Sequence, residues 1–179
     1  ETNSKSPLVT NLSSTMCLDY IAKKHEVDIF RSSVGEANVI EMMKEKKSTI
    51  GGEGNGGVII EDLHLGRDSL AATVMVLNKL SKSSESISSI SDSFPNYHMI
   101  KNKISIPDIN LENLYKSLIN EYSDAKHDIR DGLKLIWDNK WIHIRSSNTE
   151  PIIRIIGEST ELKLIESLIH NISKNINQF

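Results

Sequence analysis

Two short segments carry residue types and spacings able to recognise a ligand. The first is Gly51-Gly52-Glu53-Gly54-Asn55-Gly56-Gly57, with five glycines around one carboxylate and one amide. Gly52, Gly54 and Gly57 formally spell GxGxxG, but dinucleotide binding needs a helix opening directly after the loop. Val58-Ile59-Ile60 is β-branched and suits a strand, which argues against that chemistry. Two readings stay open. Asn55-Gly56 is a tight-turn signal, so the segment could be a plain hairpin. Glycines at this density also let backbone approach a ligand, with Glu53 and Asn55 offering hydrogen bonds to adjacent sugar hydroxyls.

The second segment is Arg145-Ser146-Ser147-Asn148-Thr149-Glu150-Pro151, with Arg154 just beyond. An arginine fork, hydroxyls, an amide and loop N–H groups together suit a phosphate, because planar guanidinium donors match two oxygens at once. The competing reading is a capping box from Ser147 to Glu150 with Pro151 opening a helix. Ile152-Ile153-Arg154-Ile155-Ile156 favours a strand instead, so the cradle is preferred. Glu150 repels a dianion and is expected to pair with Arg145 or Arg154.

Other candidates read as ordinary structure. The six histidines, His25, His64, His98, His127, His143 and His170, lack metal-ligand spacing. His143, in a strand beside the cradle, is the strongest of them. Asp68, after Arg67, is a first-turn charge favoured by a helix dipole. Arg31 and Glu36 flank Ser-Ser-Val-Gly at the end of a strand, the end at which open α/β sheets bind ligands; an ordinary strand-to-helix turn is the preferred reading. Asn11-Leu12-Ser13 and Asn171-Ile172-Ser173 are glycosylation sequons in form only.

These loops need elements to hold them. Leu8-Val9-Thr10 is a short apolar run, followed by a helical pattern through Met16, Leu18, Ile21 and Ala22. Val27 to Phe30 reads as a strand and Glu36 to Lys46 as an amphipathic helix. Thr49-Ile50 and Val58-Ile60 flank the glycine loop, and Leu70, Ala71, Val74, Val76 and Leu77 give the next helix, from Arg67. Strands alternating with helices imply an α/β layer with a partly parallel sheet. From Ser81 to Ser93, eight of thirteen residues are serine. A helix should end before this run, with at most a short turn around Ile87 and Ile90, and a domain boundary is expected near residues 83–97.

Beyond it, Leu111, Leu114, Tyr115, Leu118, Ile119 and Tyr122 fit a helix capped by Asn110. Leu133–Trp137, Trp141–Arg145 and Ile152–Ile156 are β-rich, the first two joined by the three residues Asp138-Asn139-Lys140. A last helix carries Leu162, Ile165, Ile169, Ile172 and Ile176. This half is a small α+β domain with an antiparallel sheet and flanking helices.

The 179 residues are 38% hydrophobic and 25% charged, with net charge −3. That supports a folded chain and argues against a nucleic-acid partner, which needs a concentrated basic face. Cys17 is alone, which excludes an internal disulfide or a cysteine-clustered zinc site. No apolar run reaches membrane-span length and no signal region opens the chain, so no membrane is expected and the location is read as cytoplasmic. The absence of an initiator Met suggests a fragment.

The two loops together resemble the α-D-phosphohexomutase superfamily of phosphoglucomutase, phosphomannomutase and phosphoglucosamine mutase. Gly52-Glu53-Gly54-Asn55-Gly56-Gly57 is similar to its sugar-specificity loop, and Arg145 to Pro151 to its C-terminal phosphate loop. Thr10-Asn11-Leu12-Ser13-Ser14, Val34-Gly35-Glu36-Ala37-Asn38 and Gly66-Arg67-Asp68 extend the likeness. It implies an α/β/α domain III over residues 1–90, lacking its first strand and helix, and a C-terminal domain IV over 97–179. It further implies sugar contacts from Glu53, Gly54 and Asn55, and phosphate contacts from Arg145, Ser147, Asn148 and Thr149. Gly35, Glu36 and Arg154 are secondary candidates, since a histidine holds the Glu36 position and a lysine stands near Ser13 in parts of the family.

The family reaction interconverts hexose 6-phosphate and 1-phosphate through a hexose 1,6-bisphosphate, using a phosphoserine and Mg²⁺. No Ser-His pair is present, and Asp131-Gly132 is followed by Leu133 instead of an Asp-x-Asp-Arg metal loop. The expected partners are therefore a sugar phosphate and the N-terminal domains of the same polypeptide, with the chain alone inactive. The rival expectation is a stand-alone, non-catalytic sugar-phosphate binding module.

Overall fold

A computed structural model describes residues 5–105, 110–147 and 150–176. It divides the chain into two units, Glu1–Asn96 and Tyr97–Phe179. In the first unit the elements run β1 (Leu8–Asn11), α1 (Cys17–Lys24), β2 (Ile29–Ser32), α2 (Glu36–Lys46), β3 (Ile50–Gly52), β4 (Val58–Ile60), α3 (Ser69–Ser81) and α4 (Ile87–Asp92). The sheet order is β2-β1-β3-β4. β1 pairs in parallel with β2 and β3, while β3 and β4 pair antiparallel across the glycine loop. The expected partly parallel α/β layer is therefore present. Its core is Val9, Val39, Met43 and Ile59, where α2 lays one side on the strands.

The second unit holds β5 (His98–Ser105), α5 (Leu111–Glu121), β6 (Lys126–Asp128), β7 (Leu133–Ile136), β8 (Lys140–Ser146), β9 (Ile152–Ser159) and α6 (Leu162–Ile176). Its sheet is antiparallel throughout, ordered β5-β9-β8-β7-β6. Alternation places Leu133, Leu135, Ile142, Ile144, Ile153 and Ile155 on one face, where they pack with Leu114 and Leu118 of α5 and Ile165 and Ile172 of α6. The opposite face presents Arg145 and Arg154, which are directly paired in register.

Several local expectations change. The second strand begins at Ile29, not Val27, because Val27 N–H still donates to Ala22 O at 3.0 Å and closes α1. Helix α3 starts at Ser69, and Asp68 is its N-cap, accepting from Ala71 N at 2.9 Å. The β7–β8 connection is three residues as expected but one position earlier, Trp137 to Asn139, because Lys140 already belongs to β8; Trp137 N donates to Lys140 O across it at 2.9 Å. Strands β5 and β6 carry no clear pattern in the sequence. β5 is half polar and lies at the sheet edge, while β6 is the three polar residues Lys-His-Asp. The apolar pattern of α3 does not mark a core face here: Leu70, Val74 and Leu77 are exposed and only Ala71 is buried.

Candidate functional site

The glycine segment is a hairpin, and the strand after it excludes the dinucleotide reading. Glu53 N donates to Gly57 O at 2.9 Å and Gly56 N to Glu53 O at 3.1 Å. Gly56 sits at φ 91°, where side-chain-bearing residues are strained. Asn55 Oδ1 accepts from Gly57 N at 3.1 Å, leaving its Nδ2 group to face solvent.

Glu53 does not project freely from this loop. Its side chain is only 6% exposed, and its carboxylate ties three loops together at the C-terminal end of the parallel strands. Asn11 Nδ2, at the end of β1, donates to Glu53 Oε1 at 3.0 Å. Gly35 N, at the N-cap of α2, donates to the same oxygen at 3.1 Å. A carboxylate is favoured there because the helix N-terminus carries a partial positive charge. Asn11 is itself oriented, since its Oδ1 accepts from Ser13 N and Ser14 Oγ. Glu53 Oε1 is thus satisfied twice, whereas among the described residues Oε2 has only Arg67 Nη1, at 3.4 Å.

Arg67 links this carboxylate to a second one. Its backbone N and its Nε donate to Glu36 Oε1 and Oε2, at 2.9 and 2.8 Å. The backbone bond first, then the guanidinium, hold the Glu36 carboxyl below the usual range. A Cβ on Gly57 would lie 2.3 Å from Arg67 Cδ, so glycine is what lets the arginine cross the hairpin. Asp68 is likewise held below its ordinary value, chiefly by the Ala71 N–H it caps. Arg31, the other strand-end cation, bonds Ser14 O, Thr15 O and Asp19 and so fixes the loop after β1.

In the second unit Arg145 leaves β8 toward Asp131, whose two carboxylate oxygens lie 3.4 Å from Nη1. Asp131 also accepts through its backbone oxygen from buried His143, 2.6 Å from Nε2. Since a carbonyl cannot donate, Nε2 carries the proton. Burial is the main cause that pushes this imidazole below its usual pKa. The same Asp131 charge adds to burial in pushing the Tyr115 hydroxyl up to about 12. Ser147 N donates to Ile152 O at 2.9 Å and closes the loop, while Glu150 reaches Arg154 at 3.4 Å. Asn148 and Thr149 lie outside the described residues.

The structure therefore gathers Glu53, Gly35 and Glu36 around Arg67 in one unit, and sets Arg145, Ser147 and Arg154 along β8 and β9 in the other. Asn11, Arg67 and Asp131 are the organising partners that pattern reading did not assign. In the sequence Asn11 stands in a sequon form and in the Thr10–Ser14 part of the likeness, neither of which gives it a partner, and Asp131 stands only as a mismatched Asp-Gly. Among the described residues no three His, Cys, Asp or Glu are placed to hold a metal. Those residues therefore offer no ligand set that fits Mg²⁺. Among the same residues no helix is long and apolar enough to cross a membrane.

A family model described as phosphoglucomutase/phosphomannomutase, α/β/α domain III, matches residues 1–97. The chain is 37% identical over 158 residues to a phosphoglucomutase/phosphomannomutase of Thermococcus kodakarensis, covering 85% of this chain and 34% of that protein. It is 27% identical to a phosphoglucosamine/phosphogalactosamine mutase of Sulfurisphaera tokodaii, over 93% of this chain and 37% of the relative. A phosphoglucomutase/phosphomannomutase family protein of Burkholderia thailandensis has the same fold, with TM-score 0.78, 18% identity, and coverage of 97% of this chain and 37% of that one. The chain spans about a third of the length of these curated relatives.

Proposed function

The chain belongs to the phosphoglucomutase/phosphomannomutase family, and from that premise we propose that it is the sugar- and phosphate-recognising portion of a hexose-phosphate mutase. The complete reaction would interconvert hexose or hexosamine 6-phosphate and 1-phosphate through a hexose 1,6-bisphosphate. Phosphoryl transfer requires a positioned nucleophile and charge stabilisation. No residue here is assigned the nucleophilic role, so recognition without turnover is the reading for this chain alone.

The observation that carries this is the unequal use of the Glu53 carboxylate. Oε1 is filled by Asn11 and Gly35, while Oε2 retains capacity to accept from a hydroxyl. Asn55 Nδ2 supplies the complementary donor, and Gly54, where a Cβ would lie 3.0 Å from Ser13 O, lets the hairpin pack closely enough to present both side chains. Gly35 and Glu36 support this arrangement by bonding Glu53 and Arg67. Arg145 is the phosphate ligand of the other loop, with Ser147, Asn148 and Thr149, and its 3.4 Å contacts to Asp131 are long enough to yield to a dianion.

Residue-resolved NMR titration of the 179-residue chain with glucose, mannose and glucosamine 1-phosphates tests the reading. Saturable shifts are expected at Glu53–Asn55 and at Ser147. Arg145→Ala should weaken binding about tenfold or more, because a hydrogen bond to a charged group contributes roughly 1.5–3 kcal/mol. Failure of both loops to respond to all three sugars overturns it.

A further inference from the structure

The face of the second sheet turned away from its helices carries a row of like charges. Lys103 of β5 stands opposite Arg154 of β9, and Arg154 stands opposite Arg145 of β8. Neighbouring strands are about 4.8 Å apart, so these three positions span only about 10 Å. Lys101 follows two residues along β5, on the same face. Like charges directly opposite one another weaken a sheet, yet little here offsets them. Glu150 touches Arg154 at 3.4 Å with both side chains half-exposed, and Asp131 touches Arg145 at 3.4 Å. Among the described residues Lys101 and Lys103 form no ion pair.

Lysines on an edge strand discourage pairing with other chains. That accounts for Lys101 and Lys103 but not for Arg154, which belongs to an interior strand, nor for the row continuing to Arg145. It also leaves unexplained a groove of about 380 Å³ lined by Lys101, Lys103, Glu150, Ile152, Arg154 and Ile156. Small-ligand sites fall at roughly 300–1,000 Å³. Three cations over two isoleucines, with one loosely attached carboxylate, form a surface suited to a phosphate group on an organic body.

We propose that this groove is an outer anion subsite, in which Lys101, Lys103 and Arg154 bind the phosphate of a phosphomonoester beside the Arg145 loop, and Glu150 is the internal counter-ion that the ligand displaces. The subsite rests on the phosphate recognition proposed for that loop and adds three cations outside it, Lys101, Lys103 and Arg154. A second phosphate-binding position on the same face would keep a doubly phosphorylated sugar from escaping when one end lets go.

Inorganic phosphate is titrated into the whole 179-residue chain at constant ionic strength, with chloride as the control and amide shifts followed residue by residue. Saturable shifts at Lys103 and Arg154 beyond those of chloride are expected. The double charge reversal K101E/K103E, at exposed positions, should raise the phosphate Kd there at least about tenfold, since both attractions become repulsions. Glu150→Gln removes the competing carboxylate and should lower the same Kd about threefold, an outcome a misfolded variant would not give. Equal responses to phosphate and chloride, or no change of Kd in both variants, overturn the subsite. A response at Lys103 and Arg154 with none at Ser147 fails the loop reading and leaves the subsite standing; the converse overturns the subsite alone.

Discussion

Replacing Glu53 tests whether its carboxylate holds the first unit together. Glu53→Ala removes the acceptor for Asn11 Nδ2 and Gly35 N, which are 3.0 and 3.1 Å from Oε1. Asn11 is 3% exposed, so its amide loses a partner without gaining water. An unsatisfied buried donor costs about 1–3 kcal/mol. The Asn11 donor stands near the middle of that range and the part-buried Gly35 N–H near the bottom, giving about 3 kcal/mol together. The 3.4 Å Arg67 contact adds nothing, because Arg67 is 44% exposed and water screens it. Glu53→Gln keeps a carbonyl oxygen for both donors and loses only charge assistance, about 1 kcal/mol. Amide hydrogen exchange of β1, β2 and the turn Ser33–Gly35 reads the difference locally. Since 1.4 kcal/mol is a factor of ten, protection there should fall about 100-fold in the alanine variant and about fivefold in the glutamine variant. Equal protection in Glu53→Ala and the parent would refute the tie, and Glu53 would be a ligand residue only.

Three further outcomes follow from the same geometry. Gly57→Ala puts a Cβ where Arg67 Cδ lies, so the Glu36 carboxyl should rise toward its ordinary pKa, read by carboxyl NMR; an unchanged value rejects the crossing. Gly132→Ala, at φ 81° and with its Cβ 2.3 Å from Ile144 O, should cost the second unit more than about 2 kcal/mol in urea unfolding. Burial holds the folded His143 imidazole below its ordinary pKa, so the unfolded chain takes up the proton first and stability should decline as pH falls through about 6.5, by at most about 1.4 kcal/mol per unit. His143→Gln should flatten that decline in denaturation midpoints taken across the range.

The parts of the fold legible in the sequence are those where local pattern and burial agree. Helix α6 shows its stripe at Leu162, Ile165, Ile169, Ile172 and Ile176, and all but Leu162, exposed in the first turn, are buried. Asn110 caps α5 as its position suggests, accepting from Asn113 N. β5 was hidden because an edge strand with one solvated face alternates weakly, and Lys101, Asn102 and Lys103 in a row imitate a loop. Helix α3 misled in the opposite sense, since its apolar residues fit a core stripe and are exposed in this chain. At the site, residue types were readable but partners were not. Nothing in one sequence places Asn11 against Glu53, 42 positions later, because that contact is made by β1 and β3 lying side by side in parallel.

The glycine density of the hairpin had two explanations, and the geometry divides the residues between them. Gly57 admits Arg67, and a Cβ on Gly54 would lie 3.0 Å from Ser13 O, so these glycines serve packing within the protein. In the function proposed above, ligand contact then rests on side-chain atoms: one carboxylate oxygen of Glu53 that would accept and one amide of Asn55 that would donate. Such a pair reads direction as well as presence, since one sugar hydroxyl must give its proton and its neighbour must receive one. An epimer at either carbon swings its oxygen away from its partner, and a deoxy analogue leaves Glu53 Oε2 with only its 3.4 Å contact to Arg67. Sites built to hydrogen-bond a hydroxyl reject analogues lacking it far more strongly than apolar pockets reject a missing methylene. Binding of deoxy hexose 1-phosphates to this chain should therefore fall at the one or two ring positions the hairpin reads and be unchanged elsewhere on the ring, and in Glu53→Gln the same deoxy penalty should shrink. A uniform loss around the ring would mean that the hairpin does not contact the sugar.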